Sequence, residues 1–231
     1  MSQTLIFYSG HPGVDCPHLD EDLRRHASLR TGDITFIPAD DEHADEHFEV
    51  FDSAMKSVGI RGACNLVRVD RPITTQQRSR LSRSKLIFLG GGNTFFLMRG
   101  LLRTGLASDL RDFAKSGGLL AGQSAGAIVM TPSIHLAGYP EFDRDENEVN
   151  LKTQTALKLV DFEFFPHYCN RPRYSRAMRQ DTRARDVLVY AGSDEGGIVV
   201  TTDRVIFVGS VWGFWRGLRF AVGPALRSGS R

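Results

Sequence analysis

The stretch Ala121-Gly122-Gln123-Ser124-Ala125-Gly126-Ala127 decides the fold prediction. It follows the apolar run Gly118-Leu119-Leu120 and leads into Ile128-Val129-Met130. An apolar strand, then Gly-x-Ser-x-Gly, then a helix that begins with small residues is typical of a nucleophile elbow. The following helix directs free N–H groups and the positive end of its dipole at the place where negative charge develops. The alternative is a glycine-rich turn with a capping serine, and the rest of the chain has to distinguish the two.

Composition narrows the class of protein. The chain has 231 residues, 41% of them apolar and 24% charged, with a net charge of +2. We predict one α/β domain over residues 1–231, with a tail that frays after about residue 224. The weak charge gives no reason to expect a nucleic-acid partner. The first residues lack a secretory pattern and no window is long enough to span a membrane, so we expect a cytoplasmic protein that does not bind membranes.

Short apolar runs alternate with helical patterns along the first half of the chain. In a parallel sheet, such strands are covered by helices on both faces, and function collects beyond their carboxyl ends. The glycines at 90–92 and Ser124 both follow predicted strands, so they can share one crevice. The predicted strands are 4–8, 34–37, 64–69, 86–89 and 118–120, and the predicted helices are 17–29, 43–58, 95–105 and 108–115, with a polar stretch at 74–84 that has a capping threonine.

The second half is less regular. Residues 137–152 are acidic and turn-rich, which predicts a surface loop. A strand is predicted at 158–165, followed by a basic helix within 171–185. Three short strands at 187–190, 197–200 and 205–208 are expected to complete the same sheet in antiparallel or mixed order.

A serine nucleophile needs a base. His167 directly follows an apolar strand candidate and Pro166, which places it at a strand end. His135 is an alternative because it lies close to Ser124 in sequence. His43 and His47 are four residues apart on a predicted helix, a spacing that can hold a metal, although an exposed polar face is the favoured interpretation and we predict no metal site. We therefore take His167 as the base.

The other parts of such a site also have candidates. An acidic turn, Asp194-Glu195-Gly196-Gly197, lies between two predicted strands. The resulting order Ser…His…acid differs from the Ser…acid…His of α/β-hydrolases. The run Gly90-Gly91-Gly92 lacks the residues of a P-loop and the spacing of a dinucleotide fingerprint. As an oxyanion loop, it would bring a backbone N–H beside that of Ala125.

Four segments together resemble the dipeptidase E (aspartyl dipeptidase) family of serine peptidases, which is related to cyanophycinases. The resemblance covers about residues 5–212 and rests on Ile87–Phe95, Gly122–Ala127, Phe165–Tyr168 and Asp194–Gly196. It implies a doubly wound α/β sheet that is mostly parallel and sandwiched by helices, similar to class I glutamine amidotransferases, whose elbow carries cysteine.

The resemblance also implies roles. Ser124 would be the nucleophile, His167 the base and Glu195 the orienting carboxylate. Gly92 and Ala125 would supply the oxyanion N–H groups. Family members cleave short peptides that begin with an unblocked aspartate, and no cofactor is implied.

Recognition of the substrate carboxylate needs a cation or a polar donor. Asn93, Arg171 and Arg173 are the candidates, since the first adjoins the glycine loop and the others follow the base. A solvated basic helix face is the alternative for each arginine.

This chain departs from the family at one acidic position. An aspartate some fifteen residues after the nucleophile is replaced by Tyr139. Glu141 or Asp143 could take its place, or the position does not matter here. The departure affects specificity more than the catalytic group.

The sequence therefore predicts a serine peptidase that hydrolyses dipeptides with an N-terminal aspartate through an acyl-enzyme on Ser124. Its partner is a small peptide substrate, and a homodimer remains open. One rival is a cyanophycinase-like exopeptidase acting on β-linked aspartyl chains. The other is a non-catalytic amidotransferase-like binding module.

Overall fold

A computed structural model of the chain describes residues 3–40 and 42–222. The strands are β1 (Thr4–Tyr8), β2 (Ile34–Ala39), β3 (Cys64–Leu66), β4 (Leu86–Gly92), β5 (Leu119–Gln123), β6 (Glu163–Phe165), β7 (Val189–Gly192), β8 (Gly197–Thr201), β9 (Val205–Val208), β10 (Val211–Trp215) and β11 (Leu218–Ala221). The α-helices are α1 (Pro17–Ser28), α2 (Ala44–Ser57), α3 (Thr75–Ser82), α4 (Thr94–Thr104), α5 (Leu106–Lys115), α6 (Ala125–Met130) and α7 (Pro172–Arg185).

A seven-stranded sheet forms the centre, in the order β3-β2-β4-β5-β1-β8-β9. The strands β3, β2, β4, β5 and β1 are parallel, whereas β8 and β9 join in antiparallel pairs. On β1, Ile6 lies opposite Ala121 of β5 on one side and Val199 of β8 on the other. The predicted mostly parallel sheet is confirmed.

The two faces of this sheet bury alternate residues of a strand. On β1, Leu5 and Phe7 belong to one core cluster, which includes side chains of α4, α5 and α6. Ile6 and Tyr8 belong to the other, which includes side chains of α1 and α2. Since successive strand residues point to opposite faces, helices cover both faces, as expected for a doubly wound sheet.

Local signals fix several helix ends. The side chain of Thr74 accepts from the N–H of Gln77, and the side chain of Gln77 accepts from the N–H of Thr74. Together the two bonds form a capping box for α3. Gly105 ends α4 in the left-handed conformation, with φ of 78°. These ends agree with the sequence prediction.

A second, four-stranded sheet has the order β11-β10-β7-β6 and is covered by α7. The sequence prediction was wrong here, since it placed residues 187–190 in the central sheet. The predicted strand at 158–165 is also shorter, and β10 and β11 were not predicted. Alternating apolar residues show that a segment is a strand, but they do not show which sheet it joins.

The acidic segment at 137–152 begins in a short 3-10 helix, His135–Gly138, and continues as turns and irregular chain. Much of it is exposed, as predicted for a loop. The predicted frayed tail after residue 224 lies outside the described residues. Within residues 3–40 and 42–222, no helix is long and apolar enough to cross a membrane.

Candidate active site

The elbow forms where β5 turns into α6. Ser124 has φ of 49° and ψ of −110°, a conformation that a residue with a side chain rarely adopts. Its N–H donates to the carbonyl of Tyr8 at the end of β1, at 3.0 Å. A Cβ on Gly122 would overlap the backbone of Gly126, and one on Gly126 would overlap the carbonyl of Leu89. The two glycines of the motif are therefore required by close packing.

The imidazole of His167 lies within hydrogen-bond distance of Ser124. Its Nε2 lies 2.9 Å from Oγ of Ser124. The backbone of His167 has φ of 55° and is held by Ser9, whose Oγ accepts from the His167 N–H at 2.7 Å. The same hydroxyl donates to the carbonyl of Gly192 at 2.9 Å, and Ser9 is fully buried. A residue that directly follows β1 thus holds the backbone of the histidine that comes after β6.

The carboxylate beside this histidine is Asp194. Its Oδ1 lies 2.6 Å from Nδ1 of His167. Glu195, the predicted orienting residue, instead accepts from the hydroxyl of Ser210 at 3.4 Å. The geometry therefore corrects the prediction by one residue: neighbouring side chains of this turn point in different directions, and only the first reaches the imidazole.

The backbone of Asp194 is hydrogen-bonded to the segment between β1 and α1. Its carbonyl accepts from the N–H of Gly10 at 3.0 Å and from Sγ of Cys16 at 2.9 Å. Burial raises the pKa of the Cys16 thiol to about 12. The Asp194 side chain itself is 65% exposed.

The glycine loop and the start of α6 adjoin the serine. A Cβ on Gly91 would lie 3.6 Å from Cβ of Ser124, so the glycine loop passes directly beside it. Gly92 pairs with Ala39 of β2 and has φ of 132°, which favours glycine. Ala125 opens α6, where N–H groups have no acceptor within the helix.

Two cavities reach Ser124 and His167. The first, which we call the charged cavity, has a volume of about 130 Å³. Its lining includes Thr94, Asp143, Arg144, Asp145 and Phe165. The second, which we call the apolar cavity, has a volume of about 280 Å³. It is lined by His11, Pro12, Phe36, His47, Val50, Phe51, Ala54, Gly91, Gly92 and Gln123, together with Ser124 and His167.

The predicted substrate-binding residues lie elsewhere. Asn93 uses its amide to cap α4, accepting from Phe96, and to donate to the carbonyl of Glu146. The guanidinium of Arg173 lies 4.5 Å from the ring centre of Phe142. Neither arginine candidate, Arg171 nor Arg173, lines either cavity among the described residues. Closeness to His167 in sequence thus did not place either arginine in the lining of a cavity beside the serine.

The cation and the acids of the charged cavity come from the acidic loop. Arg144 and Asp145 line this cavity, and the sequence analysis did not single out either as a site residue. Asp145 accepts from the N–H of Thr94 at 2.8 Å. Asp143, one of the two candidates for the missing family aspartate, also lines this cavity. Glu141 does not. The signal in the sequence was the cluster of charges within a loop that follows the elbow.

The other histidines have separate surroundings. His135 pairs with the buried Asp181 at 2.8 Å, so it contacts α7 instead of the serine. His43 pairs with Asp40, whereas His47 lines the apolar cavity. His11, expected to be solvated, lines that cavity too, with its Nδ1 2.9 Å from Nε2 of Gln123. In the described part of the chain, no three His, Cys, Asp or Glu side chains are grouped to hold a metal.

The chain is similar to several known proteins. An uncharacterized peptidase of Pasteurella multocida is 28% identical over 184 residues, covering 79% of this chain and 88% of the relative. A probable alpha-aspartyl dipeptidase of Drosophila melanogaster is 30% identical, covering 74% of this chain and 67% of the relative. A crystal structure of a candidate peptidase E from Listeria monocytogenes has a TM-score of 0.70 and 27% identity, covering 90% of this chain and 98% of that one.

Fold and site together define an α/β protein of the peptidase class. The family profile described as peptidase family S51 matches residues 5–208, and the chain belongs to that family. The resemblance to the peptidase E family is thereby confirmed, and with it the class I glutamine amidotransferase-like fold.

Proposed function

We propose that this peptidase is a serine hydrolase that cleaves dipeptides with an N-terminal aspartate, through an acyl-enzyme on Ser124. The observation that carries the proposal is the chain of contacts from Ser124 Oγ to His167 Nε2, and from His167 Nδ1 to Asp194. A serine, a base within hydrogen-bond reach and a carboxylate that orients the base are the parts that nucleophilic catalysis needs.

Each group then has one task. His167 takes the proton of Ser124 through Nε2 as Oγ attacks the scissile carbonyl carbon. The carbonyl oxygen becomes negative and is stabilised by the N–H groups of Gly92 and Ala125. His167 next gives the proton to the leaving amine, and the C–N bond breaks. Water, deprotonated by the same imidazole, hydrolyses the ester and frees Ser124.

The charged cavity supports the aspartyl preference. A substrate with a free amino group and a carboxylate side chain needs anions for the first and a cation for the second. Asp143 and Asp145 supply carboxylates, and Arg144 supplies a guanidinium, all beside Ser124. Arg144 also contacts Glu146 at 3.1 Å, and its side chain is 41% exposed, which leaves it accessible to a ligand.

Specificity can be measured on Asp-Ala, Asn-Ala, Glu-Ala, β-Asp-Ala and N-acetyl-Asp-Ala. We expect kcat/KM for Asp-Ala to exceed that of the other peptides by about 10²-fold or more. Each of the others lacks, displaces or blocks a charged group of Asp-Ala, which leaves a charged group of the site unpaired. Arg144→Gln should remove most of the advantage over Asn-Ala, whereas Arg80→Gln, an exposed arginine of α3, should not. Equal rates on all five peptides would contradict the aspartyl specificity, and a preference for β-Asp-Ala would favour the cyanophycinase-like alternative.

Ser9 offers a test of how the base is positioned. Ser9→Ala removes the acceptor of the His167 N–H and the donor to Gly192, so we expect a loss of about 1–3 kcal/mol in unfolding free energy. We also expect Ser124 to react up to about 10²-fold more slowly with a fluorophosphonate, because the imidazole loses its fixed place. Ser28→Ala, which removes an exposed hydroxyl bonded within α1, is the control. Labelling at the wild-type rate in Ser9→Ala would show that His167 is positioned without Ser9.

A further inference from the structure

The apolar cavity is a second compartment of the site, and of its lining residues only Ser124 and His167 also line the charged cavity. Its floor is aromatic: the rings of Phe36 and Phe51 stack with centroids 4.4 Å apart, and each side chain is 4% exposed. Its outer wall is α2, where Val50 is 67% exposed and Ala54 is half-buried.

Charge separates the two compartments. Among the residues described as lining the apolar cavity, none is Asp, Glu, Lys or Arg, and the titratable side chains there are His11, His47 and His167. The charged cavity, in contrast, has two aspartates and one arginine. A charged side chain that entered the apolar cavity would lose hydration and meet no Asp, Glu, Lys or Arg in the lining, whereas an apolar side chain would lose only contact with water.

In a dipeptide, one residue lies on each side of the scissile bond. If the proposed function is right, the acyl residue brings an amino group and a carboxylate, and of the two cavities only the charged one is lined by aspartate and arginine. The leaving residue then occupies the apolar cavity, and His167, which lines both cavities, can protonate its amine. The cavity volume of about 280 Å³ is near the lower end of ligand sites, roughly 300 Å³, and suits one side chain more than a longer peptide.

We infer that the apolar cavity is the subsite for the side chain of the leaving residue, and that this peptidase prefers leucine or phenylalanine there over aspartate, lysine or glycine. The inference rests on the proposed function and adds the residues that select the second position: Phe36, Val50 and Phe51. Val50 is the one that a substitution can reach without disturbing the core.

The wild-type test uses five dipeptides: Asp-Leu, Asp-Phe, Asp-Gly, Asp-Asp and Asp-Lys. We expect kcat/KM for Asp-Leu and Asp-Phe to exceed that of the other three by about tenfold or more. Cleavage of all five at similar rates would overturn this inference and leave the proposed function standing. Cleavage of none would overturn the proposed function and the inference with it.

Charge placed on α2 gives the sharper test. Val50→Asp should raise kcat/KM for Asp-Lys relative to Asp-Leu by about tenfold or more, and Val50→Lys should do the same for Asp-Asp. Ser53→Asp and Ser53→Lys add the same charges three residues further along α2, at an exposed position that does not line the cavity, and should leave the order of substrates unchanged. If the Val50 and Ser53 variants shift selectivity equally, the effect is general electrostatics and the subsite assignment is wrong.

Discussion

Ser124→Ala is expected to lower kcat by about 10⁶-fold, the largest effect of any substitution in this protein. The variant keeps the strained turn and its backbone bond to Tyr8 but has no Oγ to attack the substrate or to contact His167. His167→Ala should cost a similar factor, since nucleophile and base act as a unit and their effects do not add. The measurement is kcat on Asp-Ala, with Ser28→Ala as the control.

The fold of these variants should be unchanged. Ser124 and His167 are not core residues, and the close packing around Gly122 and Gly126 does not involve their side chains. Circular dichroism and thermal unfolding should therefore match the wild type. A Ser124→Ala protein that is folded and retains more than a few per cent of wild-type kcat would rule out the serine mechanism.

Asp194→Asn is expected to lower kcat by about 10³-fold, whereas Glu195→Gln should change it less than about threefold. An asparagine cannot accept from the imidazole as a carboxylate does and can favour the wrong tautomer, an effect of about 10⁴-fold for a buried triad aspartate. The smaller figure reflects the exposure of Asp194, whose side chain is 65% accessible and shares its interaction with water.

This pair of variants separates the two assignments of the acid. In the structure, Asp194 lies 2.6 Å from Nδ1 of His167, and Glu195 contacts Ser210. Measuring kcat for both under one set of conditions is sufficient, since the substitutions are isosteric and adjacent. The reverse order, with Glu195→Gln severe and Asp194→Asn mild, would restore the assignment that sequence resemblance suggested.

The sequence predicted the position of those site residues that lie at the end of a parallel strand of the central sheet. The elbow at Ser124 and the glycines at 90–92 end parallel strands, so their meeting at one edge could be predicted from alternating strands and helices. The doubly wound sheet followed from the same alternation. These features depend on local pattern and on a topological rule, and both are visible in one chain.

The second sheet could not be predicted, and it carries the remaining groups. His167 follows β6 and Asp194 follows β7, and both strands belong to that sheet. Their approach to Ser124 depends on long-range hydrogen bonds. Ser9, for example, bonds to His167 and to Gly192, which follow it in sequence by 158 and 183 positions. Which of two adjacent acids faces the histidine also depends on the turn geometry, so spacing alone did not distinguish Asp194 from Glu195.

For the predicted substrate-binding arginines, distance along the sequence was a poor guide to position. Arg171 and Arg173 are close to the predicted base in sequence, yet neither lines either cavity. Arg144 lies 20 residues after Ser124 in sequence and lines the charged cavity with it. The acidic loop is held at the start of α4 by the bonds of Asn93 and Asp145. Tertiary bonds, and not sequence distance, determine which charged side chains line the cavity beside Ser124.

The most direct test of the account is covalent labelling with a fluorophosphonate, followed by mapping of the modified peptide by mass spectrometry. We expect the wild-type protein to gain one phosphonyl group on Ser124, Ser124→Ala to gain none, and His167→Ala to react far more slowly. No label on Ser124 under conditions that fully modify a control serine peptidase, or label at another residue, would contradict the assignment of Ser124 as the nucleophile.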